Sequence, residues 1–130
     1  MVVAQPAKPI STPIAVTLTR LVALLEEDAT DEYGQLQPTQ AAFRRAMQLV
    51  VEAYDSMGDR FQKASVSTDD QGGIRMTWNR LDGDGEVRLV CPGQMDQEAY
   101  IYHELASEYK VERDVTGVIL GQWLEWLNQV

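Results

Sequence analysis

From residue 63 onward the hydrophobic period of the chain changes from helical to two, and this change limits the fold more than any single motif. Period-two segments separated by tight-turn residues have a simple solution, an antiparallel meander. "KASVST" reads as a short strand and "DDQGG" as a turn. "GIRMTWNR" then sets Ile74, Met76 and Trp78 on one face and Arg75, Thr77 and Asn79 on the other. "EVRLVC" alternates likewise, with Val87, Leu89 and Cys91 against Glu86, Arg88 and Val90, and "AYIYHEL" is the fourth predicted strand.

"DGDG" (Asp82–Gly85) joins two of these strands and carries the spacing of half a calcium loop. With Gly85 at the sixth position of an EF-hand loop, Arg80 and Cys91 fall where the outer carboxylates belong. A cation and a thiol cannot replace them, and the flanks are strands rather than helices. Asp-Gly is instead a strong hairpin signal, because both residues tolerate the positive φ of a tight turn. Any even-numbered loop here places Ile74, Met76 and Trp78 on the same face as Val87, Leu89 and Cys91. If "QMDQ" closes the next hairpin, Cys91 lies opposite Tyr100 and Leu89 opposite Tyr102. His103 then falls on the far face near Arg88, and the sheet separates the one Cys–His pair in the chain.

Helices are predicted on both sides of the meander. Thr12-Pro13 is a cap followed by proline at the first helical position. Ile14, Leu18, Leu21 and Leu25 follow at helical spacing, and the helix ends near Glu27. Pro38-Thr39 opens a second helix with Phe43, Met47, Val50, Tyr54 and Met57 in one stripe, Ala42, Ala46 and Ala53 beside it, and Gly58 as its stop. Arg44 and Arg45 lie off the stripe and are expected in solvent. A last helix runs from Asp114, as cap, to about Asn128, with Val115, Ile119, Trp123, Trp126 and Leu127 apolar. Gly117 and Gly121 are expected to let it lie close to the sheet. The predicted fold is α+β, with two N-terminal helices, a four-stranded antiparallel β-meander and a C-terminal helix packed on one sheet face. Residues 1–11 read as a flexible N-terminal arm, and residues 12–130 as a single α+β domain.

The formal charge of −9 disfavours binding to a phosphate backbone, which needs clustered Lys and Arg. Cys91 stands alone, so no internal disulfide forms, which fits a reducing cytosol. The N-terminus has no basic region followed by an apolar core, and no apolar run nears the roughly 20 residues of a membrane helix. A cytoplasmic protein is expected. "HE" at His103-Glu104 has no second His to make a zinc motif, and neither "QGGI" nor "DGDG" precedes a helix that would hold a phosphate. No cofactor, metal or catalytic residue is expected.

The remaining signal is acidic. Glu26, Glu27, Asp28, Asp31 and Glu32 crowd a short connector that ends on Tyr33. Acids after a helix C-terminus oppose its dipole, so they do not serve local stability. They suit either a solvated connector or a contact for a basic protein, with Tyr33 as the aromatic anchor. The other large rings are expected mostly in the core. The expected function is that of a non-catalytic acidic protein-interaction module: an adaptor, inhibitor or antitoxin-like neutraliser of a basic partner. A nucleic-acid mimic and a small-molecule binder or enzyme with an unrecognised pocket are the alternatives. The sheet face with Val90 and Ile101 is a second expected contact, or the surface of a homodimer.

"DEYGQLQPTQAAFRRAMQLV", "SVSTDDQGGIRMTWNR", "EVRLV" and the final "WLEWL" together resemble a group of small bacterial proteins frequent in cyanobacteria. That group shares a Tyr-Gly loop before a proline-led helix, a Gly-Gly-Ile-x-x-x-Trp strand entry and a closing helix. The resemblance covers roughly residues 20–128. It implies the element order given above, with no activity and no functional residues.

Overall fold

The computed structural model describes residues 12–27, 30–31, 34–35, 37–81 and 83–129. The predicted arm over residues 1–11 lies outside the described residues. The architecture is α+β. α1 (Thr12–Ala23) runs into a 3-10 turn, Leu24–Glu26, and β1 (Thr30–Asp31) pairs with β2 (Gly34–Gln35) in a small antiparallel ladder. After α2 (Gln40–Met57) come β3 (Ser65–Thr68), β4 (Ile74–Asn79), β5 (Gly85–Cys91), β6 (Tyr100–Leu105) and β7 (Glu108–Glu112), then α3 (Gly117–Gln129). The last five strands form one antiparallel sheet in sequence order, so the meander is as expected but has five strands rather than four.

β7 escapes a sequence reading because its hairpin turn, Ala106-Ser107, contains no Gly, Asn or Asp, the residues that mark a turn at positive φ. Ala106 sits at φ +57°, a region where a side chain costs about 1–2 kcal/mol. Gly83 in the "DGDG" turn takes φ +83°, and there the expected facing parity holds: Ile74 pairs with Cys91, Met76 with Leu89 and Trp78 with Val87.

The expected register between β5 and β6 is corrected by one residue. Leu89 lies opposite Ile101, Arg88 opposite Tyr102 and Val87 opposite His103. The connection is the whole stretch from Pro92 to Ala99, not a turn closed by "QMDQ". Side chains alternate along a strand, so a one-residue slip exchanges the two faces of β6. Ile101 and His103 point inward, 0% and 7% exposed, and the tyrosines point outward. This overturns three expectations: His103 as a surface residue, Val90 with Ile101 as an exposed patch (Val90 keeps the outer face but is only 8% exposed), and the tyrosines of β6 as core.

α2 and α3 pack on the inner face, and α1 lies along the β3 edge. Trp78 is at the centre, with its indole N–H donated to the Gln62 carbonyl at 2.8 Å and Phe61 edge-on at 6.1 Å. α2 buries Ala42, Ala46, Leu49, Val50, Ala53 and Met57, so the alanine side of its stripe is the centre. Phe43, Met47 and Tyr54 border the core. Thr39 caps α2 by accepting from the Ala42 N–H at 3.1 Å. Thr39 also donates its hydroxyl to the Gly93 carbonyl at 2.7 Å and its N–H to the Gly72 carbonyl at 2.8 Å. One residue thus fastens the helix to two loops. α1 meets the start of β3, where Ala64 gives its N–H to Thr17 at 3.1 Å and its carbonyl accepts from Arg20 at 2.6 Å.

α3 begins later than expected. Asp114 has φ +58° and does not cap it; Thr116 does, accepting from the Ile119 N–H at 3.1 Å. The two glycines of α3 face α2 rather than the sheet. A Cβ on Gly117 would stand 2.0 Å from the Glu52 Cβ, and one on Gly121 would stand 2.5 Å from the Ser56 hydroxyl. Alanine favours a helix over glycine by about 1 kcal/mol, but overpacking costs roughly 1–3 kcal/mol. Gly117→Ala should therefore destabilise by about 2 kcal/mol in urea unfolding. Gly121→Ala should cost less, because the Ser56 hydroxyl can rotate away. Ala106→Gly should stabilise by about 1 kcal/mol, since it relieves the positive φ of the β6–β7 turn.

Candidate functional site

Of the acidic segment, Glu26 and Glu27 are exposed at the end of the 3-10 turn. Asp31 has its backbone in the β1–β2 ladder, paired with Gly34. Asp28, Glu32 and Tyr33 lie outside the described residues, so the geometry of that predicted contact is not defined. Nearby, the Gln37 amide donates to the Leu25 carbonyl at 3.1 Å and also to the Glu27 carbonyl, tying the end of the first helical segment to the approach of α2.

The outer face of the sheet is built by the register of β5, β6 and β7. Arg88, Val90, Tyr100, Tyr102, Glu104, Tyr109 and Val111 share it, and no described helix covers it. Tyr109 is 65% exposed and Val111 44%. The rings are held in place. Tyr102 stacks on Tyr109 with centroids 5.7 Å apart and planes 28° apart, and the Arg88 guanidinium lies 5.4 Å from the Tyr102 centroid. Arg88 is in turn held by Glu86 at 3.0 Å, and Arg113 lies 5.9 Å from the Tyr100 ring. Burial, then the Glu104 hydrogen bond and the charges of Glu104 and Glu86, push the Tyr102 hydroxyl above its ordinary range, with Arg88 opposing. The Nε of Arg88 is buried without an acceptor among the described residues. A buried unsatisfied donor costs on the order of 1–3 kcal/mol, so this side chain is held by its charge and its ring contact.

Behind the same strands is a second aromatic group. His103 stacks on Trp123 with centroids 3.7 Å apart, and Trp126 meets both rings edge-on at 5.6 and 5.3 Å. The His103 Nε2 lies 3.4 Å from a Glu112 carboxylate oxygen. These rings join β6 to α3 and line an open hollow with Leu105, Glu108 and Lys110.

Cys91 and His103 now share the inner face, which corrects the expectation that the sheet divides them. They still do not meet. His103 lies opposite Val87, four residues along β5 from Cys91, which is about 13 Å at the rise of a strand. Burial pushes the Cys91 thiol up to about 12, against the opposing charge of Arg45. It is a core residue in chemical terms as well.

Arg44 and Arg45 are exposed, as expected. With Gln40, Gln48, Gln94 and Gln97 they line a cleft of about 630 Å³ between α2 and the β5–β6 connection. Among the described residues no group of three or more His, Cys, Asp or Glu could hold a metal ion, and no helix is long and apolar enough to cross a membrane.

The Cys91 thiol should resist an aromatic disulfide reagent in the native protein and react on unfolding. The unfolded thiol ionises near 9.0 and the folded one near 12, so its contribution is complete below pH 9 and lost as pH rises towards 12. The stability difference between the parent and Cys91→Ala should therefore shrink above pH 9, by up to about 1.4 kcal/mol per pH unit.

No protein-family profile, no curated protein and no solved structure matches the chain.

Proposed function

We propose that this protein is a non-catalytic interaction module whose main contact surface is the outer face of the sheet. One observation carries the reading: Tyr100, Tyr102 and Tyr109 with Arg88 stand on a face that no described element covers. Tyr and Arg are the residue types that most often dominate binding energy at protein interfaces. The stack of Arg88, Tyr102 and Tyr109 is already ordered, so docking a partner on it costs little side-chain entropy. The inert thiol of Cys91 and its distance from His103 count against nucleophilic chemistry at the one Cys–His pair.

The acidic segment keeps a secondary role in this reading. Glu26 and Glu27, with Asp28, Asp31, Glu32 and Tyr33, favour a basic partner, and the chain's −9 charge would speed its approach at low salt. Steering of this kind acts on the rate of encounter, whereas a buried aromatic anchor acts on dissociation.

Affinity capture from the native cell tests the proposal. Replacing Tyr102 and Tyr109 by Ala should reduce the yield of any partner at least tenfold while leaving the circular dichroism of the fold intact. Replacing Glu26 and Glu27 by Gln should reduce capture only at low salt. A partner retained equally by the tyrosine variant would overturn the assignment of this face.

A further inference from the structure

The two edges of the main sheet are finished differently. At β3, α1 packs alongside, and Thr17 and Arg20 take up both backbone groups of Ala64 at the strand entrance. At β7 no described strand lies beyond, and the strand carries the exposed side chains Tyr109 and Val111. The Ala106-Ser107 turn makes Leu105 and Glu108 the closing pair of a two-residue hairpin. Such a pair exchanges both hydrogen bonds, and bonded and non-bonded pairs alternate from there. Tyr109 and Val111 therefore aim their N–H and C=O groups at the open side. An edge of this kind is a template for another strand.

We propose that β7 pairs antiparallel with β7 of a second copy of this chain, about a two-fold axis through Val111, and so joins two sheets into one. The pattern of charges suits a second copy paired off the strand's centre, and the chain beyond the strand selects the register. With the axis at Val111, the two valines exchange their outward backbone bonds. Lys110 then meets Glu112 of the partner subunit, and symmetry repeats the pair. These are non-hydrogen-bonded positions, where facing side chains come closest. Tyr109 meets Arg113 of the partner subunit, an aromatic beside a guanidinium. With the axis at Lys110 instead, lysine faces lysine and Glu108 faces Glu112 of the partner subunit, which is repulsive at every charged position. With the axis at Tyr109, Glu108 faces Lys110 of the partner subunit, which is also a pair of opposite charge, but the ladder then runs into the turn residues Ser107 and Ala106. Both off-centre registers pair three strand residues of each copy; the Val111 register alone continues past the strand into Arg113 rather than into the turn, and it ends where Asp114 at φ +58° leaves the strand line. The pairing does not depend on the outer-face contact proposed above, and it would set two such faces side by side.

A charge-reversal set read by sedimentation equilibrium tests this. The parent should dimerise reversibly. Lys110→Glu and Glu112→Lys should each weaken the dimer roughly tenfold or more, because each turns two attractive pairs into repulsive ones. An equimolar mixture of the two variants should restore it, since every facing pair is again of opposite sign. Val111→Pro removes the outward N–H, which an edge strand tolerates, and should give a folded monomer. A parent that stays monomeric at all concentrations overturns the proposal, as does a dimer indifferent to Lys110→Glu and Val111→Pro. Failure of the mixture to restore the dimer, with both variants folded, overturns the Val111 register.

Discussion

Arg88 sits opposite Tyr102 and Val87 opposite His103, and the rest of the molecule depends on that pairing. A sheet covered on one face sorts every strand residue into one of two environments. Sliding β6 by one position would send Tyr100 and Tyr102 into the core and put Ile101 and His103 in water. The observed register seats Ile101 beside Leu89 under the helices and allows His103 to stack on Trp123 at 3.7 Å. It also gathers the tyrosines beside Arg88. The core and the candidate surface are therefore two consequences of one alignment.

The helical layer holds that alignment from one side. α3 reaches the sheet only because it packs hard against α2, with Gly117 and Gly121 at the contact and the Gly117 N–H donated to the Glu52 carboxylate at 3.2 Å. α2 is itself fixed at its start by Thr39, whose backbone and side chain reach the loops before β4 and after β5. Small residues set the spacing here, and the large ones (Trp78, Phe61, Leu120, Leu124) fill what that spacing leaves.

Much of this was legible in the sequence, for physical reasons that can be named. Trp78 and Met76 alternate cleanly with Thr77 and Arg75, so β4 and its inward face could be read directly. The Asp-Gly turn preserved parity into β5. At β6 the signal fails, because Tyr100, Ile101 and Tyr102 are all apolar enough for either face, and the register then rests on the loop from Pro92 to Ala99. β7 was hidden by a turn with Ala106 at positive φ, which propensity argues against. The late start of α3 follows from Asp114, a good cap by type, being used at φ +58° to turn the chain, while Thr116 does the capping. The candidate surface was missed with the register, since Tyr102 and Tyr109 look like core residues until their face is known.

The most direct measurement of the central claim is a set of proton NMR distance contacts across β5, β6 and α3. The register described here requires contacts between the His103 ring and the Trp123 indole, a cross-strand contact between Arg88 and Tyr102, and none from the Tyr102 ring to Leu124 or Trp123. Contacts from the Tyr102 ring into α3, with Leu89 opposite Tyr102, would show that the faces of β6 are reversed and would contradict the account.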